Sequence, residues 1–274
     1  MKILINSFPK SGTHLAMQMA EALAQRREPT PWMDCFDLGG WGTRFEDLDA
    51  TVRQIRSQPD GTWMVGHVGY RPEIAEALRK AGTAVLFVHR DLRDVAVSQV
   101  RHIEDPDEER FRHPGKILYM SLGSFEERLR AVIEGLDHYL GIFERWALFA
   151  PWLEQGWILP LRYEEMIDEP DATARRFMNY VINHSGSISA DGGTVSWSEY
   201  ERGVRAVLQG LQERDGPTFR EGRASSWREA FSLEMERLFV GQGSALWTAD
   251  NAHYQSPSPT LLALSLAPPT GWRS

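Results

Sequence analysis

The sequence predicts an α/β fold, a single domain with a central parallel sheet flanked by helices. Three observations carry this expectation. Short β-branched and Leu-rich runs at 2–7, 62–67, 83–89 and 157–163 alternate with longer segments of helical periodicity, the pattern of βαβ units. Each run has an apolar stretch at its centre, and the compact one at 2–7 suits a strand buried on both faces. The 274-residue length suits one such domain with a substantial core, and neither an internal repeat nor a domain-scale linker divides it.

Taken in order, Lys2–Ser7 is the first strand, and Phe8-Pro9-Lys10-Ser11-Gly12 breaks it. Leu15, Met19 and Leu23 then share one face of a helix with Ala16 and Ala20 beside them. Residues 29–47, rich in Trp, Gly and Asp, resist assignment. The second strand, 62–67, leads to a helix over Pro72–Lys80, with proline at its start and Gly82 past its end. Thr83–His89 is the most strand-like run and feeds a helix around 94–101. Residues 104–123 are charged and irregular, with the length of either a functional cover or a surface insertion. Leu129, Val132, Leu136, Tyr139, Leu140, Phe143 and Trp146 predict one long amphipathic helix. A fourth strand at 157–163 precedes a helix over 173–183, and helical patterns recur at 200–212 and 227–239. From 241 onward the chain is rich in Pro and Ser, so the expected organisation is a domain over 1–240 and a surface-draped tail over 241–274.

Composition excludes several function classes. A net charge of −8 argues against a general nucleic-acid binder, though a local basic pocket for a small anion is compatible with it. Cys35 is the single cysteine, so no intrachain disulfide or thiolate metal cluster is available, and a reducing cytoplasm is the simplest compartment. The apolar start of the chain is too short for a signal peptide, and no stretch is long enough to span a bilayer.

Chemistry concentrates first at Phe8-Pro9-Lys10-Ser11-Gly12-Thr13. A loop between a strand and a helix N-terminus gathers backbone N–H groups and the positive end of the helix dipole. Gly12 admits close approach of a ligand, Ser11 and Thr13 offer hydroxyls, and Lys10 adds a full charge. The loop departs from the Walker pattern, because its lysine precedes the glycine and the first glycine is missing. Alone, it also reads as a polar turn capped by Ser11 or Thr13.

Further segments point the same way. The loop resembles the 5′-phosphosulfate loop of cytosolic-type sulfotransferases. Val88-His89-Arg90-Asp91-Leu92-Arg93-Asp94-Val95-Ala96-Val97-Ser98 resembles their 3′-phosphate motif, an arginine at a strand end and a serine eight residues on. Leu161-Arg162-Tyr163-Glu164-Glu165-Met166 resembles the strand-end segment beside the adenine, and Phe219-Arg220-Glu221-Gly222-Arg223 the C-terminal loop over the 3′-phosphate. The matches run in family order over about 1–239.

The resemblance implies a P-loop-like sulfotransferase fold. It implies 3′-phosphoadenosine 5′-phosphosulfate (PAPS) as sulfuryl donor, adenosine 3′,5′-bisphosphate (PAP) as product and no required metal. Nucleotide contacts would come from Lys10, Ser11, Gly12, Thr13, His14, Arg90, Ser98, Tyr163, Phe219, Arg220, Gly222 and Arg223. Glu221 stands where a lysine is common, which turns attention to Arg223 as the compensating charge.

Two residues are expected to do the chemistry. Val65-Gly66-His67-Val68-Gly69-Tyr70-Arg71-Pro72 resembles the segment carrying the family's catalytic histidine, making His67 the general base. Lys10 would neutralise charge on the leaving oxygen. His14 and His89 are rival bases, with His89 read as a satisfied near-core residue, whereas His102 and His113 have no supporting context. Asp91 and Asp94 read as acids of a solvated helix start.

The expected partner is a small-molecule hydroxyl acceptor, in a monomer or weak homo-oligomer without nucleic acid or membrane. Trp32, Phe36, Trp41 and Phe45 line either an acceptor pocket or the core. Two other classes stay open, a small-molecule kinase with a P-loop-type site and a non-catalytic nucleotide-binding protein on the same scaffold.

Overall fold

The computed structural model describes residues 2–24, 48–105, 113, 115–185, 195–212 and 225–248. Three strands come early in the chain: β1 (Lys2–Ser7), β2 (Trp63–Gly66) and β3 (Thr83–His89). A separate two-residue antiparallel pair follows, β4 (Gly135–Leu136) with β5 (Tyr139–Leu140), and β6 (Leu159–Arg162) completes the main sheet. That sheet is wholly parallel in the order β2-β1-β3-β6.

Helices occupy the crossovers. α1 (Thr13–Ala24) leaves β1, α2 (Leu48–Ser57) precedes β2, α3 (Pro72–Lys80) joins β2 to β3, and α4 (Leu92–Ile103) leaves β3. Before β6 come α5 (Lys116–Met120), α6 (Phe125–Glu134) and α7 (Ile142–Phe149), with a 3-10 turn over Ala150–Glu154. After it come α8 (Tyr163–Asp168), α9 (Pro170–Ser185), α10 (Trp197–Gln212), α11 (Trp227–Ala230) and α12 (Leu233–Thr248).

The continuous apolarity of the strands is explained by two cores. Leu4, Met64, Val85 and Phe87 point to one face, where α3, α4, α6 and α7 cover them. Ile5, Val65, Leu86, Val88 and Leu161 point to the other, against α1, α9 and α10. Successive strand side chains alternate between faces, so a sheet covered twice needs apolar residues throughout. Each such side chain contributes roughly 1.5–3 kcal/mol when fully buried.

The predicted long helix through Leu129 and Trp146 is three elements. Leu129 and Val132 lie on α6, Leu136, Tyr139 and Leu140 in the β4–β5 hairpin, and Phe143 and Trp146 on α7. Gly135 has φ +98° and Asp137 φ +55°, values no helix contains, and the chain reverses there. Leu136 and Tyr139 still pack on the same core as the helices, so the periodicity reported shared burial instead of a continuous axis. The expected helix over 227–239 likewise divides at Phe231 and Ser232, and Ser232 Oγ accepts from the Met235 N–H at 3.3 Å to start α12. α12 continues through Thr248, past position 240. The second and fourth strands are shorter than expected, and α2, α5 and α8 lay in stretches with no sequence assignment. No described helix is long and apolar enough to cross a membrane.

Candidate active site

Four parallel strands deliver six of the expected residues to one edge. Pairings Asn6–Gly66, Ser7–Val88 and His89–Arg162 bring the strand ends level. The residues just beyond are the 8–12 loop after β1, His67 after β2, Arg90 after β3 and Tyr163 after β6. The chain leaves β1 toward β2 and leaves β3 toward β6, so the connections of these neighbouring strands diverge. The crevice outside such a switch point, at the carboxyl ends of the strands, is where open α/β sheets take ligands.

The loop is rigidly built. Phe8 N donates to Val88 O at 2.9 Å, and Ser11 N closes a turn onto Phe8 O at 3.2 Å. The buried Phe8 ring meets Trp146 and Phe149 edge-on, each at 5.3 Å. Lys10 takes φ +66°, a conformation that costs a non-glycine residue about 1–3 kcal/mol and concentrates at functional sites. Gly12 takes φ +104°, and a Cβ there would stand 2.5 Å from Tyr163 Cδ2, so conformation and space both demand glycine. Ser11 Oγ is fully buried with no hydrogen-bond partner among the described residues, a hydroxyl left for whatever the loop receives. Thr13 opens α1 beneath it. His14 is half-buried, and burial, then the charge of Lys10, lower its pKa.

His67 joins this loop through Ser7. Its Nδ1 lies 2.9 Å from Ser7 O and 3.0 Å from Ser7 Oγ, while Ser7 Oγ is 2.7 Å from Thr13 Oγ1. A carbonyl only accepts, so Nδ1 carries the proton and Nε2 of the neutral ring carries the lone pair. The backbone on either side is pinned. Asn6 Nδ2 donates to Val68 O at 2.9 Å, Val68 N donates to Asn6 Oδ1 at 2.7 Å, and Trp152 Nε1 donates to Val68 O at 2.8 Å.

Arg90 anchors the other side. Its Cζ sits 4.2 Å from the Tyr163 ring centroid, within cation–π range, and that same ring backs Gly12. Nη2 is 3.6 Å from Asp94 Oδ2. Asp94 is 1% exposed and accepts from Ser225 N (2.8 Å), Ser226 Oγ (3.0 Å) and Trp227 N (2.9 Å), which corrects its reading as a solvated acid. Asp91 is buried too and caps α4 by accepting from Arg93 N at 2.9 Å. Glu164 accepts from Asp91 N and Arg162 Nε, both at 3.0 Å, and burial raises its pKa. Ser98, half-buried, lies one turn beyond Asp94 on α4. Sequence reasoning passed over Asp94 and Glu164, although an acid four residues after Arg90 was a visible signal.

Phe219, Arg220, Gly222 and Arg223 lie outside the described residues, as do Trp32, Phe36, Trp41 and Phe45 and most of 104–114. His89 is buried as expected, but its Nδ1 has no hydrogen-bond partner among the described residues, so that nitrogen is left unsatisfied. Burial first, then Arg162 and Arg176, push its pKa down to about 3. His113 does have context: it is 1% exposed, in the electrostatic reach of Lys10 and of a buried arginine, Arg145. Among the described residues no group of His, Cys, Asp and Glu is arranged to hold a metal ion.

With this geometry in view, likenesses to known proteins fall into one pattern. No curated protein sequence matches the chain. Among solved structures, mouse sulfotransferase SULT7A1 complexed with PAP superposes with TM-score 0.56 at 17% identity, over 91% of this chain and 85% of that one. Retinol dehydratase in complex with androsterone and inactive cofactor PAP gives 0.52 at 14%, over 91% and 81%. The same enzyme with retinol and PAP gives 0.52 at 15%, over 91% and 82%. At such identities these likenesses speak for the fold. The family profile described as sulfotransferase domain matches residues 1–240, and the chain therefore belongs to the sulfotransferase family.

Proposed function

We propose that the protein transfers the sulfuryl group of PAPS to the hydroxyl of a small-molecule acceptor, by in-line displacement, in a cytoplasmic setting. One observation carries the reading: Ser7 links His67 on one side to Thr13 of the anion loop on the other. A base and an anion-binding loop joined through one residue suit a reaction in which a proton leaves the acceptor as charge builds on the donor.

Each residue has a role in that reaction. Lys10, Ser11 and the N–H groups around Gly12 and Thr13 hold the 5′ phosphosulfate. Arg90 and Ser98 hold the 3′-phosphate, with Arg220, Gly222 and Arg223 closing over it and Phe219 beside them. Tyr163 borders the adenine, and His14 contacts the loop end of the nucleotide. Nε2 of His67 accepts the acceptor's hydroxyl proton while the new oxygen–sulfur bond forms. The bond from sulfur to the bridging oxygen breaks, its electron pair staying on the 5′-phosphate of PAP. Lys10 stabilises that charge and needs no metal ion to do so.

His67→Ala is expected to lower turnover of labelled PAPS by about 10²–10⁴-fold. Lys10→Met should lower it by about 10²–10³-fold. In both, the melting temperature should stay near that of the parent. Near-parental rates in both variants would refute the assignments. Thermal shifts separate the donors: PAP should stabilise the protein, and ATP with Mg²⁺ should not. The opposite ranking would indicate phosphoryl transfer.

A further inference from the structure

Arg145 is a buried cation with no counter-ion among the described residues. It lies on α7, on the side that packs toward the anion loop, with Cζ 5.9 Å from the Phe8 ring centroid. The residue is 3% exposed, and Nε, Nη1 and Nη2 all lack a hydrogen-bond partner among the described residues. Burial draws its pKa down to about 10, which still leaves the guanidinium charged at neutral pH. A buried charge with unsatisfied donors is costly, and a fold that holds one holds a place for an anion.

The described groups around it do not supply that anion. Lys10 is a second cation in the same reach, since both it and Arg145 depress His113. His113 is neutral, its pKa pressed to about 4 by burial first and then by these two charges. Its Nδ1 accepts from Gly115 N at 3.0 Å, so the ring proton sits on Nε2, 3.4 Å from the Gln99 amide. Tyr119, 1% exposed, is held in its neutral form by burial, with Arg145 pulling weakly the other way. The rings of His113, Tyr119 and Tyr139 pack together at 5.4–6.0 Å, an aromatic wall beside the charge.

We propose that Arg145 binds a carboxylate on the acceptor, so that the substrate is a hydroxy acid whose hydroxyl reaches His67 while its carboxylate reaches Arg145. The inference rests on the sulfotransferase reading above. The donor's charges already have Lys10, the loop amides and Arg90 on the side of Tyr163, whereas Arg145 lies among His113 and Tyr119 from the stretch between α4 and α6. A planar guanidinium whose donors have no partner among the described residues matches a carboxylate in two parallel hydrogen bonds.

The test is calorimetry on the full chain, with and without PAP, using three hydroxy acids and their methyl esters: 4-hydroxybenzoate, 3-(4-hydroxyphenyl)propionate and 12-hydroxydodecanoate. At least one acid is expected to bind about tenfold or more tightly than its ester. Arg145→Met should remove that preference and leave PAP affinity within about twofold. Arg145→Gln repeats the test should the Met variant fail to fold. Three results overturn the proposal: no acid outbinding its ester, a preference that survives in both variants, or an equal loss of PAP affinity, which would put Arg145 on the donor. A protein that binds no PAP would defeat the donor reading instead, and the nucleotide-free titrations would still decide the role of Arg145.

Discussion

At the scale of single residues, the anion loop stands on two backbone conformations. Lys10 and Gly12 both have positive φ, so the loop turns twice within three residues. Lys10 holds a conformation strained for a non-glycine residue, whereas Gly12 is required by the backbone and by the Tyr163 ring behind it. Gly12→Ala is expected to cost about 1–3 kcal/mol in the folded state. It should also displace Tyr163, weakening PAP binding about tenfold or more. Urea unfolding and calorimetry read the two effects. An alanine variant with parental stability and PAP affinity would mean that the loop tolerates a Cβ.

Between elements, the site depends on α4 as a tie. Its first turn carries Asp94, which joins Arg90 at the end of β3 to the start of α11 through two backbone N–H groups and a hydroxyl. Arg93, one residue before, lies 3.9 Å from the Trp227 ring centroid and holds the same segment from outside. Removing the carboxylate takes an ion-pair partner from the buried Arg90 and the acceptor from the part-buried Ser225 N–H and the buried Trp227 N–H. Asp94→Ala should therefore destabilise the protein by about 3–5 kcal/mol, far beyond a surface helix acid. A loss under about 1 kcal/mol in urea unfolding would show that the tie is not energetic. Charge alone did not reveal this role: Asp91 and Asp94 both look like acids favouring a helix dipole, and only the packing of α11 distinguishes them.

Across the whole molecule, buried neutral histidines make stability sensitive to mild acid. His89 and His113 have pKa values of about 3 and about 4, both below the unfolded value of 6.5. Their contribution is complete above pH 6.5 and is lost as pH falls toward those lower values. Each removes about 1.4 kcal/mol per pH unit, because the unfolded chain binds a proton that the folded one excludes. Urea unfolding at pH 6.5 and 5.0 is expected to show a slope reduced by about that amount in His89→Gln. An unchanged slope would mean that His89 gains its proton without unfolding.

What the sequence determined by itself was whatever local order encodes. Apolar runs marked the four parallel strands, and the resemblance of the segments holding Lys10, Gly12, His67, Arg90 and Tyr163 marked the family. Those features survive in a string because strand burial and loop chemistry are written in consecutive residues. Tertiary structure decided whatever depends on neighbours distant in the chain. Asp94 meets Ser225 across 131 positions, and Arg145 stands out only because no described residue pairs with it. The β4–β5 hairpin hid inside a helical pattern because it buries its apolar residues in the same core as the helices beside it. Periodicity records which residues are buried, and charge records what a residue carries. Neither records what it faces, and pairing in a low-dielectric interior is settled by what it faces.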